Sequence, residues 1–220
     1  MAITINATTT PASVNGTNPW TVSHTTGSGL SNSIMIVGIG WTTTTSVITS
    51  MTYAGAALTQ VVTQSGNRRT EIWYLIGPAA GANNLVITWG VSQGRSMVSI
   101  NTYSSANSSQ NFTSKTANTF ATSATPSLAC GSASGEMVFG FLMSSFTAGE
   151  TLTTDASQSE RSNQSAGSSR MGACDEQSSG SSTTEDWVLS ASKAHGIVAA
   201  SFQPAVASGQ PGRTLVGVGA

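Results

Sequence analysis

Apolar and polar positions alternate with a period of two along much of this chain, the spacing that gives a strand one buried and one solvated face. Ile3 and Ile5 alternate with polar neighbours, and so do Trp20, Val22 and His24. The run SIMIVGIGW at 33–41 is nearly continuous in apolar residues, and it predicts a central strand covered on both faces. Residues 47–53, an Ala54-Gly55 turn and residues 58–62 read as a hairpin containing no charge. Ser65-Gly66-Asn67 marks the next turn, 69–76 the next strand, the Gly/Pro-rich stretch 77–81 a break, and 84–89 another strand. Further strands are predicted at 95–103, 136–143, 187–190 and 196–202.

No window sustains the i, i+3, i+4 apolar spacing of a helix, and the abundance of Thr, Ser, Val and Gly works against one. Many short strands separated by Gly, Pro and Asn turns imply a sandwich or barrel. Residues 157–184 are the polar exception. There the pattern predicts a weak strand at 169–174 between two mobile loops, because a single structureless loop of that length would be unusual. After Pro204 the chain reads AVASGQPGRTLVGVGA, a Pro/Gly spacer ending in a short apolar segment that should dock on its own sheet or on a neighbour.

Composition narrows the function. Charged residues make up 8% of the chain and the net charge is −1, against about 25% charged in an ordinary soluble domain. There is no basic field for a nucleic-acid backbone, so no nucleic-acid partner is expected. The opening MAITINATTTPASVNG has neither a basic nor an apolar signal region, and no apolar run approaches the roughly 18 residues of a membrane span. Synthesis in a cytoplasm without classical export is therefore expected, with no membrane partner. Cys130 and Cys174 are either a disulfide or two buried thiols; spacing does not choose between them.

Candidate chemistry is sparse. His24 and His195 are the only histidines, each at a strand end, and GSASG at 131–135 has the wrong spacing for a nucleophile elbow. C-x-x-C, H-x-H, H-E-x-x-H and D-x-D-x-D patterns are all absent. Asp175-Glu176 and Glu185-Asp186, the adjacent acidic pairs, read as solvated residues in or beside polar loops. No cofactor, metal or catalytic residue is expected, and the chain reads as non-enzymatic. Trp41, Trp73, Tyr74 and Trp89 are candidate sugar-stacking faces, although large aromatics more commonly fill cores.

Several motifs recur in a recognisable order: WTVSHTTGSG (20–29), NSIMIVGIGW (32–41), ITSMTYAGAALTQV (48–61), RTEIWYLIGPAAG (69–81), NNLVITW (83–89) and GIVAASFQPA (196–205). Together they resemble a family of mostly uncharacterised β-sandwich domains found in bacterial and phage proteins. That family carries a T-Y-N-G-x-x-L-T hairpin and an I-W-Y-L-x-x-P-x-x-G strand and turn. The resemblance spans residues 20–205 and brings no catalytic residues with it. Ala54 stands where the family often has Asn, which weakens the preference for a type I′ turn.

The expectation is an all-β protein, an antiparallel β-sandwich of jelly-roll type at 20–205, with an N-terminal lead-in at 1–19 and a C-terminal arm at 206–220. The functional expectation, drawing on the family's occurrence in phage, is a structural virion protein: a capsid decoration (cement) protein or an accessory capsid or tail subunit. Its partners would be other virion proteins and itself, with a trimer as one arrangement. Ile3, Ile5, Leu215, Val216 and Val218 are the candidate intersubunit contacts. The alternative is a carbohydrate-binding or adhesin module on a tail fibre or cell surface, using the four aromatics.

Overall fold

A strand with two apolar faces has to be covered twice, and that requirement organises the molecule. The computed structural model describes residues 2–206 apart from 28, 29, 31 and 44. The first half contains β1 (Thr4–Thr9), β2 (Val14–Asn15), β3 (Trp20–Thr26), β4 (Ile34–Trp41), β5 (Ile48–Tyr53), β6 (Ala56–Ala57), β7 (Thr59–Ser65), β8 (Arg69–Ile76), β9 (Gly81–Trp89) and β10 (Arg95–Ser104). The second contains β11 (Thr116–Ser123), β12 (Ser127–Gly131), β13 (Met137–Ser145), β14 (Leu152–Thr154), β15 (Ser159–Ala166), β16 (Ser169–Gln177), β17 (Ser182–Leu189) and β18 (Lys193–Phe202). No helix occurs among the described residues, and the strand pairings are antiparallel.

Four sheets are stacked. Two middle sheets, ordered β1-β10-β4-β8-β7 (with β2 also on β10) and β11-β18-β13-β16-β15, face each other. Outside them lie β3-β9-β5-β6 on the first and β12-β17-β14 on the second. In the middle sheets β4, β13 and β18 are buried along nearly their whole length, whereas in the outer sheets β3 and β17 alternate buried with exposed. The apolar run at 33–41 is thus the doubly covered strand its pattern predicts.

The two pairs of sheets repeat one plan. Each is a sandwich with the strand order of a jelly roll. Replacing β1, β3, β4, β5, β7, β8, β9 and β10 by β11 through β18 in turn converts the first order into the second. Residues 20–205, expected as one β-sandwich, therefore hold two sandwiches joined through their middle sheets, and β1 of the lead-in is the edge strand of the first.

Register gives the residue correspondence. Ile34 faces Tyr103 as Met137 faces Phe202, so Tyr103 and Phe202 are equivalent. Their rings meet across the contact at 4.9 Å, edge to face, as expected beside a local two-fold axis. The same alignment pairs Gly38 with Phe141, and these touch as well. A Cβ on Gly38 would lie 2.5 Å from Cδ2 of Phe141, so the glycine is the space that the ring occupies. Around them Ile36, Ile72, Met97, Phe139, Met143 and Val198 close the shared core.

Three local features differ from the pattern-based reading. The hairpin at 47–62 turns at Ala54 (φ +49°) and Gly55 (φ +83°), but its return arm pairs on β5 only through Ala56–Ala57 and the Leu58 amide, which donates to the Met51 carbonyl. Leu58 then enters the first sandwich's core, and the chain crosses to the middle sheet as β7. Residues 157–184 are not two loops around a weak strand: β15, β16 and the start of β17 run through them. Their polar look reflects an edge strand and small interior residues such as Ser162, Gly172 and Ala173. β11 and β12, rich in Thr, Ser and Ala, carry too little apolar contrast to be read from sequence.

Ala54 bears a left-handed conformation that costs an L-residue about 1 kcal/mol or more. Ala54→Asn is expected to raise stability by about 0.5–1 kcal/mol, read from the midpoint of urea unfolding. An unchanged or lower midpoint would show that the turn is not strained.

Candidate functional site

Many of the titratable side chains, the first candidates for a site, are buried. His24 on β3 is buried between hydroxyls, with Nδ1 2.8 Å from Thr9 Oγ1 and Nε2 2.8 Å from Thr102 Oγ1. Burial lowers its pKa to about 4, so the ring is neutral at pH 7 and has no carboxylate to orient it. His195 on β18 has Nδ1 2.9 Å from the Lys193 carbonyl, so this nitrogen carries the proton and donates it; burial lowers its pKa as well. Neither histidine forms the partnership that nucleophilic catalysis needs.

The adjacent acidic pairs are not both solvated, which corrects the sequence reading. Asp175 and Glu185 are the inward members of strands β16 and β17, and both are buried. Asp175 accepts two bonds from Arg161, at 2.6 and 2.7 Å, and one from the Tyr103 hydroxyl at 2.7 Å. Tyr103 belongs to the first half and the other two to the second, so this cluster ties the halves together. Burial and the neighbouring Asp175 push the Tyr103 phenol well above its ordinary pKa. Elsewhere Glu136 Oε2 accepts from Lys115 Nζ, the Ala133 amide and Ser201 Oγ at 2.9, 2.9 and 2.7 Å. Burial pushes its pKa up, but those three donors together outweigh it and leave the carboxyl below its usual value.

Glu185 has no such support. Cys174 Sγ lies 2.8 Å from its Oε2, while Oε1 has no partner at all. Burial raises its pKa to about 8, so the group is predominantly a neutral acid at pH 7. Burial, then Glu185, lifts the Cys174 thiol well above its usual value, and the same two causes take Cys130 to about 12. Both cysteines are free and buried, so no disulfide joins them. Thiols held this firmly protonated are poor nucleophiles.

Among the described residues no three His, Cys, Asp or Glu side chains gather as a metal site would require, and no pocket opens.

The sequence candidates fall in several places. Trp41 and Trp89 are fully interior, packed edge to face at 6.1 Å in the first sandwich, so neither presents a ring to a sugar. Both faces of β4 are covered, as the continuous apolar run at 33–41 implies, and Trp41 at its end shares that burial. Trp73 and Tyr74 are half-buried; Trp73 Nε1 donates to Glu71 at 2.8 Å, and the Tyr74 ring packs on Phe112 at 4.9 Å. No shared aromatic platform results. Ile3 is buried in the core between the halves, and the half-buried Ile5 packs against that core. Leu215, Val216 and Val218 lie outside the described residues.

What sequence reasoning missed is a surface. Residues 1–67 contain no Asp, Glu, Lys or Arg, and of the nine acidic residues only Glu71 lies in the first half. Glu71 is buried, bonded to Arg69 and Trp73. The outer face of the β3-β9-β5-β6 sheet is consequently uncharged. Its central row runs Thr21, Val86, Thr52, Ala57 across the four strands, flanked by Ser23 beside Asn84 on one side and Thr88 beside Ser50 on the other. At the other end of the stack the outer sheet carries Asp186, with Asp155 beside it and Glu160 exposed nearby. The signal was present in β3, where Thr21, Ser23 and Thr25 are the solvent-facing alternates.

No family model, curated protein or solved structure matches the chain.

Proposed function

We propose that this chain is a non-enzymatic structural subunit of a phage virion, a decoration protein or an accessory capsid or tail subunit that works by protein–protein contact. The observation that carries the reading is the double sandwich. Two jelly rolls share one buried face, so a single chain forms a block whose outer surfaces are broad sheet faces and whose ionisable groups are largely spent on internal bonds. Such a block suits a tile in a multi-copy assembly. Jelly rolls serve as viral capsid and lectin domains alike. The resemblance to phage-borne sandwich domains supports the first of these uses.

Density-gradient fractionation of the source material, with the protein identified by mass spectrometry in each fraction, tests the proposal. Sedimentation with intact particles at a fixed ratio to a capsid or tail protein is the expected result. A protein that stays at the top of the gradient or follows cell envelopes is not a virion component, and glycan binding becomes the reading to pursue. Truncation after Val206 removes Leu215, Val216 and Val218 and none of the described core. It is expected to leave the unfolding midpoint unchanged while removing the protein from the particle fractions; undiminished incorporation would show that the arm is not a contact.

A further inference from the structure

We infer that the uncharged outer face of the β3-β9-β5-β6 sheet is a contact surface for the same face of a second copy of this chain, an inference that rests on the multi-copy reading above. When a patch meets its own copy across a two-fold axis, each group faces groups drawn from the same patch. A patch carrying charge of one sign then repels itself. At the opposite pole Asp155, Glu160 and Asp186 would do so, whereas here no charged side chain is present. Hydrogen bonding follows the same logic. A carboxylate only accepts and an ammonium only donates, but the hydroxyls of Thr21, Ser23, Ser50 and Thr52 and the amide of Asn84 do both. A hydroxyl and amide surface is thus complementary to itself, and Val86 with the threonine methyls gives its centre an apolar strip to bury.

Size sets how the contact operates. Three strands about 4.8 Å apart, each running about six residues at about 3.3 Å, with the two-residue β6 at their edge, make a face of roughly 300 Å². That is well under half of the roughly 800 Å² each partner buries in a standard interface, so one such contact is weak alone and effective where many copies act together. The covalent joining of the two jelly rolls helps here, because a rigid block loses little further freedom when it docks.

The test uses the purified full-length protein alone, in sedimentation velocity from about 10 μM to about 1 mM, where a contact of this area should associate. The expected result is a reversible dimer whose affinity hardly changes between about 0.05 and about 0.5 M salt, since no charges meet across it. Thr21→Lys with Thr52→Lys, flanking Val86 on both sides, is expected to weaken association at least tenfold, as is Asn84→Arg as an independent variant. Thr153→Lys on the opposite pole is expected to leave it unchanged. Near-UV circular dichroism confirms that each variant is folded. A monomer at the highest concentration, or a dimer indifferent to all three face substitutions, would overturn the inference; so would a salt-dependent dimer lost in Thr153→Lys. Because no particle takes part, these outcomes are separate from the gradient experiment. A protein that pairs through this face but is absent from particles fails the virion reading and not this one.

Discussion

Glu185→Leu is expected to stabilise the protein at pH 8 and to abolish its loss of stability between pH 6.5 and 8. The equivalent position in the first sandwich shows why leucine fits. Leu128 faces Glu185 across β12 and β17 as Val22 faces Leu85 across β3 and β9, so Leu85 is the counterpart of Glu185. The folded protein holds the Glu185 proton up to about pH 8, while the unfolded chain releases it near the ordinary glutamate value of 4.5. Between those values the native state binds more protons, so stability falls as pH rises and is lowest above pH 8. His24 acts in the opposite sense between about 4 and 6.5, because its folded pKa is the lower one and stability there rises with pH. The two trends oppose each other below pH 6.5, which leaves 6.5 to 8 as the window in which Glu185 acts without that opposition. A loss of about 2 kcal/mol across that window is expected for the natural protein, at about 1.4 kcal/mol per pH unit. Urea unfolding at several pH values reads it directly. If Glu185→Leu keeps the same slope, the carboxyl is not the group responsible.

Filling Gly38 should strongly destabilise the shared core, and its damage should be reversible from the other half. A Cβ there collides with the ring of Phe141, which is walled in by the middle sheets and has no free direction to move. Gly38→Val is expected to cost about 3 kcal/mol or more. Phe141→Ala alone should cost about 3–5 kcal/mol through the cavity it leaves. Combining them puts the new valine into the vacated space, so the double variant should be more stable than the sum of the two losses predicts. A denaturation cycle over the four proteins measures that difference. Strict additivity would mean that the two residues do not share one space.

The architecture was legible where apolar pattern alone determines it. The run at 33–41 declares a doubly covered strand, and the alternation of Trp20, Val22 and His24 declares a sheet with one wet face. The repeat of the whole plan was not legible, because equivalent positions carry unlike residues: Gly38 and Phe141, Leu85 and Glu185, His24 and Cys130. Topology and register are conserved between the halves while chemistry is not, and composition cannot register that. Trp41 and Trp89 looked like candidates for a sugar platform because alternation tells which residues share a face but not what covers it. Asp175 and Glu185 looked solvated because their neighbours are polar, yet each is the inward alternate of its strand. The bare face was in view from the start, as the absence of charge from the first 67 residues, but only the sheet order shows that β3, β9, β5 and β6 lie side by side.

Joining two jelly rolls in one chain frees each from having to match the other. In a pair of identical subunits Gly38 would face the same residue across the axis, leaving either a void or a collision; here a glycine can meet a phenylalanine. The same freedom extends to the ends of the stack. A symmetric pair must display any acidic patch twice, pointing in opposite directions. This molecule keeps Asp155, Glu160 and Asp186 at one pole and no acid on the outer sheet of the other. It therefore has a heading: set down on a surface, it can tell top from bottom.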